Sequence, residues 1–384
     1  MIADSAAMRT LDDLQIKDKR VLVRVDFNVP LDGKTITDDT RIRAALPTIK
    51  EIQKRGAAQI VLLAHMGRPK GREEKFSLHP VADRLAEVLG GKVPVAETPE
   101  DVGDAPVTMI ENVRFFDGET KDDSGLAARY AATVDVYVDD AFGAAHRAHS
   151  SNHAIAKLLP SAAGLLLERE VKTITALLQE PDRPVGAIVG GSKVSDKIGV
   201  LRRFIELSDV ILVGGAMCFP FFKAQGHDVG DSLCEEEGVP LAKELLEIGG
   251  DKLRLPVDLI VGREFSAETE TRVIDGVDVE SGWMGLDIGP KTAALYGDEV
   301  RKCKTAFWNG PMGAFEMEPF AAGTRAVAEA LVDVPASVVG GGDSVAAVTQ
   351  FGMQQRYAHV STGGGASLEL VEGKTLPGVE VLTK

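Results

Sequence analysis

Basic side chains recur after short apolar runs in the first half of the chain. Arg24 precedes Asp26-Phe27-Asn28, Arg41 opens the next amphipathic stretch, and His65-Met66-Gly67-Arg68 follows a second run. Arg114 and His146-Arg147-Ala148-His149 follow two more. A single arginine or histidine at such a place reads as a surface ion pair. Recurrence after four separate runs points instead to a shared anion pocket, because guanidinium groups hold carboxylate or phosphate in bidentate fashion. His146 and His149 have the chemistry of metal ligands, but no Cys/His zinc-ligand spacing appears around them. Hydrogen bonding to an anion or to core carbonyls is the better reading.

The second half offers different chemistry. Gly190-Gly191-Ser192-Lys193, Gly340-Gly341-Gly342-Asp343-Ser344 and Gly363-Gly364-Gly365-Ala366-Ser367 each sit where a strand should pass into a helix. Such turns expose backbone N–H groups at the positive end of a helix dipole, which suits phosphate. Any one of them also reads as an ordinary tight turn; three in one region favour a nucleotide. Lys193 and Lys197 are four apart on an expected helix near 193–207, with Val194, Ile198, Leu201 and Ile205 as its core face. Like charges there repel, and a cation at a helix start opposes the dipole. A bound phosphate would relieve both costs. No GxGxxG, Walker A, protein-kinase catalytic loop or GxSxG pattern occurs.

Periodicity supplies the elements that must carry these groups. Strands are predicted at 21–25, 59–63, 107–110, 135–138, 185–189, 209–213, 256–261, 304–308 and 337–340. Ile42, Ala45, Leu46, Ile49 and Ile52 share one helical face, with Pro47 predicting a kink. Leu165–Gln179 reads as a long helix carrying Leu166, Val171, Ile174 and Leu178, and further helices fall near 320–332 and 343–351. Alternating strands and helices predict α/β architecture with mostly parallel sheets, in which loops at the carboxyl ends of the strands line the ligand crevice.

Composition narrows the classes. The 384 residues carry a formal charge of −15, and aromatics make up 5%. Both argue against a nucleic-acid surface. Three cysteines without CxxC spacing argue against a disulfide framework or structural zinc and fit a reduced, cytoplasmic setting. Residues 1–20 alternate charged and apolar positions, so no leader is expected there. The long uncharged run at 210–222 is broken by Gly214, Gly215 and Pro220, and no membrane span is predicted.

These motifs together resemble the phosphoglycerate kinase family. The resemblance rests on Val23-Arg-Val-Asp-Phe-Asn-Val-Pro30, Ala64-His-Met-Gly-Arg-Pro69, Glu111-Asn-Val-Arg114 and the run from Asp140 to Ser150. It continues through Gly190 to Lys197, Gly282 to Pro290, Trp308 to Glu316, Gly340 to Ser344 and Thr362 to Thr375. It implies two Rossmann-like three-layer (αβα) lobes joined by a hinge helix. Residues 1–164 would bind 3-phosphoglycerate or 1,3-bisphosphoglycerate, 165–179 would connect, and 180–370 would bind ADP or ATP. The tail at 371–384 would return to the first lobe. By motif match, Asp26, Phe27, Asn28, Arg41, His65, Met66, Gly67, Arg68, Arg114, His146 and Arg147 fall on substrate positions. Gly191, Lys197, Gly215, Gly285, Asn309, Glu316, Gly341, Gly342, Asp343 and Ser344 fall on nucleotide positions, with Glu316 a ribose contact. Asp343 matches the carboxylate for Mg²⁺, and Arg41, Lys193 and Lys197 match groups around the transferring phosphoryl. Hinge closure on the two small-molecule substrates and a monomeric, glycolytic enzyme are implied as well. Asp139, Ala216, Ser344 and Pro220 depart from common family residues. The rival readings are an ATP-dependent carboxylate-activating ligase and a non-catalytic, two-lobed anion-binding scaffold.

Overall fold

A computed structural model describes residues 8–384; residues 1–7, part of the stretch read for a leader, lie outside the described residues. The chain falls into two units. One runs to Thr173 and includes Lys374–Lys384; the other is Ile174–Gly373.

The first unit begins with β1 (Arg20–Arg24), a small hairpin of β2 (Leu31–Asp32) and β3 (Thr35–Ile36), α1 (Thr40–Lys54) and β4 (Gln59–Leu63). It continues with α2 (His79–Leu89), β5 (Val95–Ala96), β6 (Val107–Ile110), α3 (Ser124–Ala131), β7 (Val136–Asp139), β8 (Ser161–Ala163) and the start of α4 (Leu165–Gln179). Six strands form a parallel sheet in the order β5-β6-β4-β1-β7-β8. The chain leaves β1 toward β4 and β6, then returns to the opposite side with β7. Loops after β1, β4 and β7 therefore flank the reversal, where an open sheet leaves a crevice. β4 is buried at every position, as a strand covered on both faces must be, which explains its unbroken apolar run. Asp38 Oδ1 accepts the Thr40 N–H at 2.8 Å where α1 starts. Ile42, Ile49 and Ile52 on that helix are fully buried, each stabilising by roughly 1.5–3 kcal/mol. The helix continues through Pro47.

The last residues are fastened to this unit. The Arg9 guanidinium donates to Ser161 O at 2.8 Å, Val381 O at 2.8 Å and Thr383 O at 3.1 Å. Lys384 pairs with Asp13 at 2.8 Å, and the Gly378 N–H donates to Ala145 O at 2.9 Å.

Two acids end β7. Asp139 and Asp140 are both fully buried, and burial pushes each carboxyl up to about 7. Asp140 Oδ1 accepts the Leu166 N–H at 2.9 Å at the start of α4. Asp139 Oδ1 accepts the Ala141 N–H at 3.0 Å, while its Oδ2 has no hydrogen-bond partner among the described residues. A carboxyl raised on folding costs stability above its folded value and costs nothing well below its unfolded value near 4. Asp139→Asn should therefore stabilise the protein by about 2–3 kcal/mol at pH 8. The gain should fade as pH drops from 7 toward 4. Urea denaturation at pH 8 and pH 4 measures it, and an equal gain at both would refute the charge argument.

The second unit holds β9 (Val185–Val189), α5 (Ile198–Leu207), β10 (Val210–Val213), α6 (Phe219–Ala224), α7 (Val239–Gly249) and β11 (Leu253–Arg254). Next come β12 (Leu259–Gly262), β13 (Thr271–Ile274), β14 (Met284–Ile288), α8 (Pro290–Lys302), β15 (Thr305–Asn309) and α9 (Ala322–Leu331). β16 (Ala336–Gly340), α10 (Gly342–Gln350), β17 (His359–Val360) and α11 (Gly365–Val371) complete it. A second six-stranded parallel sheet runs β11-β10-β9-β15-β16-β17, reversing between β9 and β15. The α/β class with mostly parallel sheets thus stands. One strand is corrected: the 256–261 segment forms β12, the centre of a separate antiparallel sheet, β13-β12-β14. Only residues 263–270 join β12 to β13, too few for a parallel crossover. Among the described residues no helix is long and apolar enough to cross a membrane.

Candidate active site

In the first unit the basic residues separate into a buried tier and an open one. Arg24, read from sequence as lining the pocket, is almost fully buried. β1 lies at the centre of the sheet, and the side chain turns inward, where Nε donates to Ser151 Oγ at 2.8 Å. Ser151 in turn donates to Glu119 Oε1 at 2.6 Å. Arg24 Nη2 also lies 3.2 Å from His65 Nδ1. A guanidinium only donates, so Nδ1 is the acceptor and the ring proton sits on Nε2. Burial and the neighbouring Arg24 pull the His65 imidazole down to about 3. His65 is therefore a neutral N–H donor. His149 is likewise drawn down to about 4 by burial and then by Arg24 and Arg114.

Above this tier, Arg41 Nη1 donates to Asp26 Oδ2 at 2.8 Å. Burial works to raise the Asp26 carboxyl, but the Arg41 and Arg24 guanidinium groups outweigh it and hold it below its usual range. Asn28 Oδ1 accepts the Gly67 N–H at 2.9 Å, fastening the Met66-Gly67-Arg68 loop to the end of β1. Asn112 orders the same loop: its Oδ1 accepts the N–H groups of Met66 and Arg114, and its Nδ2 donates to Met66 O and Phe76 O. The Arg114 guanidinium donates to Gly67 O. Arg68, Arg114 and Arg147 line one open cavity of about 470 Å³. Phe27 is fully buried in the core, so only its backbone can face a ligand. His146 is half-buried beside this group.

The second unit has a cleft of about 560 Å³ at its sheet reversal, lined by Gly191, Gly215, Gly285, Glu316 and Asp343 among others. Its walls need close backbone approach. Gly215 has φ +68°, and a Cβ there would sit 2.6 Å from backbone atoms of Gly191. A Cβ on Gly285 would meet the Phe219 ring at 2.4 Å. Lys197 Nζ donates to Asn309 Oδ1, whose own Nδ2 donates to Gly340 O at 2.8 Å. Ser344 is fully buried, and its Oγ accepts the Gly310 N–H at 2.5 Å, tying the β15 loop to α10. Gly341 and Gly342 form the turn into α10, with Asp343 exposed on its first turn.

The expected helix at 193–207 is shorter. α5 starts at Ile198, so Lys193 stands exposed on a loop rather than at a helix start. Glu235, forty residues downstream, accepts the Ser195 N–H at 3.0 Å and the Ser195 hydroxyl, diverting that turn from the helix. Burial pulls the Lys197 ammonium down to about 8 against the opposing pull of Asp343 and Asp196. It is charged below that value and neutral above it. If Lys197 contacts nucleotide phosphate, as its motif implies, affinity of the free protein for ADP should weaken by up to about tenfold between pH 7.5 and pH 9.5. Calorimetric titration across that range checks it, with Lys197→Arg expected to flatten the profile.

Several lining residues escaped the sequence reading. Leu233 and Phe265, 65% and 69% exposed, rim the cleft with apolar surface, and Phe219 lies under Gly285. No periodicity marks them. Asp287 lines the same cleft and accepts the Gly323 N–H at 2.7 Å; burial pushes its carboxyl up to about 8. Glu119 and Ser151, which stand behind Arg24, had no motif to betray them.

Similarity to solved structures gives the class first: these are the two sheets of a two-lobed α/β kinase. A phosphoglycerate kinase from Coxiella burnetii matches with a TM-score of 0.89 at 41% identity, covering 98% of each chain. The enzyme from Pyrococcus horikoshii OT3 gives 0.86 at 32%, again covering 98% of each. The phosphoglycerate kinase family model matches residues 11–374. A curated phosphoglycerate kinase of Rubrobacter xylanophilus is 51% identical over 385 residues, covering 97% of this chain and 98% of its own. The chain belongs to the phosphoglycerate kinase family, and it is a kinase. Neither the ligase nor the non-catalytic scaffold finds support in these matches.

Proposed function

We propose that this chain catalyses reversible phosphoryl transfer between 1,3-bisphosphoglycerate and ADP, giving 3-phosphoglycerate and ATP, with each substrate held by its own unit. The observation that carries this reading is the split in site chemistry. Arginines and a neutral histidine gather at one sheet reversal; a glycine-walled cleft with an apolar rim lies at the other. In the ATP-forming direction the attacking atom is a phosphate oxygen of ADP, and the leaving group is a carboxylate. Neither needs a proton removed at neutral pH, so the residues need only align and stabilise charge.

Arg68, Arg114 and Arg147 hold the anionic groups of phosphoglycerate, and His65 donates from Nε2. Asp26 aims the Arg41 guanidinium at the phosphoryl in transit. Lys197 meets the same oxygens from the nucleotide side, and Lys193 adds charge from its loop. Gly191, Gly215 and Gly285 let the base approach the backbone, while Glu316 accepts from the ribose. Asn309 and Ser344 act one step back, holding Lys197 and the Gly310 loop. Asp343, an exposed carboxylate at the cleft, fits the hard-oxygen preference of Mg²⁺, which binds through one or two carboxylates plus phosphate oxygens. When bound, the ion would neutralise phosphate charge. Ligands on separate units call for hinge closure about α4, which also excludes water from the acyl phosphate. A monomeric, cytoplasmic, glycolytic enzyme is the accompanying expectation.

The direct test is a coupled assay for ADP formation that depends on 3-phosphoglycerate; no turnover above background would sink the proposal. Asp343→Asn should weaken Mg-nucleotide binding by at least about tenfold and leave 3-phosphoglycerate affinity unchanged. Calorimetry with both ligands reads the difference, and equal losses would refute the assignment of Asp343 to the nucleotide side.

A further inference from the structure

We infer that His79, Glu97 and Glu111 form a binding site for a divalent transition metal of the zinc type, separate from the residues assigned to either substrate. The sheet builds the site. Ala96 and Ile110 are partners in the parallel ladder, and the Glu111 N–H donates to Ala96 O at 2.8 Å. Glu97 and Glu111 are the next residues on two adjacent strands, so they leave the carboxyl edge side by side. α2 begins at His79 over the same edge.

The donor atoms already converge. His79 Nε2 lies 3.7 Å from Glu97 Oε1 and 4.0 Å from Glu111 Oε2, and all three lie within 4.8 Å of one another. Zinc bonds of about 2.0–2.2 Å in tetrahedral geometry place donors roughly 3.3–3.6 Å apart. Two exposed side chains, His79 and Glu97, can close that gap. Glu111 supplies the fixed ligand. Its side chain is 4% exposed. Oε2 accepts the Ser77 hydroxyl at 2.7 Å, and Oε1 accepts the N–H groups of Leu78 and Asn112, each at 2.8 Å. Such outer hydrogen bonds hold a ligating carboxylate in place. No lysine or arginine among the described residues forms an ion pair with this buried carboxylate. Glu97 spends Oε2 on Arg72 and turns Oε1 toward His79.

An imidazole with two carboxylates suits Zn²⁺, Co²⁺ or Ni²⁺, whereas Mg²⁺ prefers oxygen alone. The ion would clip the start of α2 to the ends of β5 and β6, and with it the loop at 67–78 that carries Arg68. The simpler alternative is His79 resting between two carboxylates without metal.

The test uses the full-length protein after chelator treatment and dialysis, without nucleotide. Titration with ZnCl₂ should show one saturable site, and Co²⁺ should give visible absorption typical of low coordination number. Thermal melting should rise with Zn²⁺. His79→Ala and Glu97→Gln, both exposed positions, should lose at least tenfold in Zn²⁺ affinity and lose the thermal shift, with Mg²⁺-supported turnover unchanged. Absence of saturable Zn²⁺ binding overturns the proposal. So does binding that survives in both variants, which would place the ion elsewhere.

Discussion

Arg41→Ala should lower kcat by about 10²–10³, or roughly 3–4 kcal/mol of transition-state stabilisation, and leave phosphoglycerate affinity within a few-fold. Arg41 is the partly exposed cation aimed by Asp26. On the proposed reading ground-state binding has other holders, the arginines Arg68, Arg114 and Arg147 that line their own cavity. Charge that develops on the phosphoryl in flight has fewer. Steady-state kinetics with both substrates, alongside calorimetric titration of 3-phosphoglycerate, separates the two contributions. A variant with near-normal kcat and a raised KM would make Arg41 a ground-state ligand and end this assignment. Arg41→Lys should recover only part of the loss, because a single ammonium cannot both keep the Asp26 contact and face two oxygens.

Arg24→Met should destabilise the protein by about 3–5 kcal/mol, the usual result of removing one charge from a buried set and stranding its partner. The stranded group is Glu119, which reaches Arg24 through Ser151. Burial already raises the Glu119 carboxyl, and Arg24 is the largest force opposing it. A carboxyl raised in the folded state is costly at high pH and relieved on protonation. The deficit of the variant should therefore be larger at pH 8 than at pH 5. Chemical denaturation at both values distinguishes this from lost packing, for which the two deficits would be equal. A second consequence concerns His65. Without Arg24 at its Nδ1, the ring loses both the partner that sets its tautomer and the cation that suppresses its protonation.

Much of this architecture was legible because it is local. Runs such as Gln59-Ile-Val-Leu-Leu63 mark strands covered on both faces, and nearly every basic or glycine cluster follows such a run. What the sequence hid depends on distant partners. Nothing between 193 and 207 reveals that Glu235 will take the Ser195 N–H and delay α5 to Ile198. Arg24 looks like its basic neighbours until the fold supplies Ser151 and Glu119 beneath it. Likewise β12 has the apolar content of a parallel strand; the short span to β13 makes it antiparallel. Phe265 and Leu233 gave no signal because an exposed rim has no period.

The Arg9 anchor has a bearing on how the protein is made. Its guanidinium waits for carbonyls of Val381 and Thr383, at the far end of the chain. At about 5–20 residues per second, roughly 10–40 s separate the synthesis of Thr173 from that of Lys374. Through that interval the strands of the first unit have all been synthesised, while the segment that binds Arg9 and Ala145 has not. The second unit, Ile174–Gly373, is uninterrupted and can close as soon as its own last residues emerge. The unit whose strands are made first thus receives Lys374–Lys384 only after all of Ile174–Gly373 has been made.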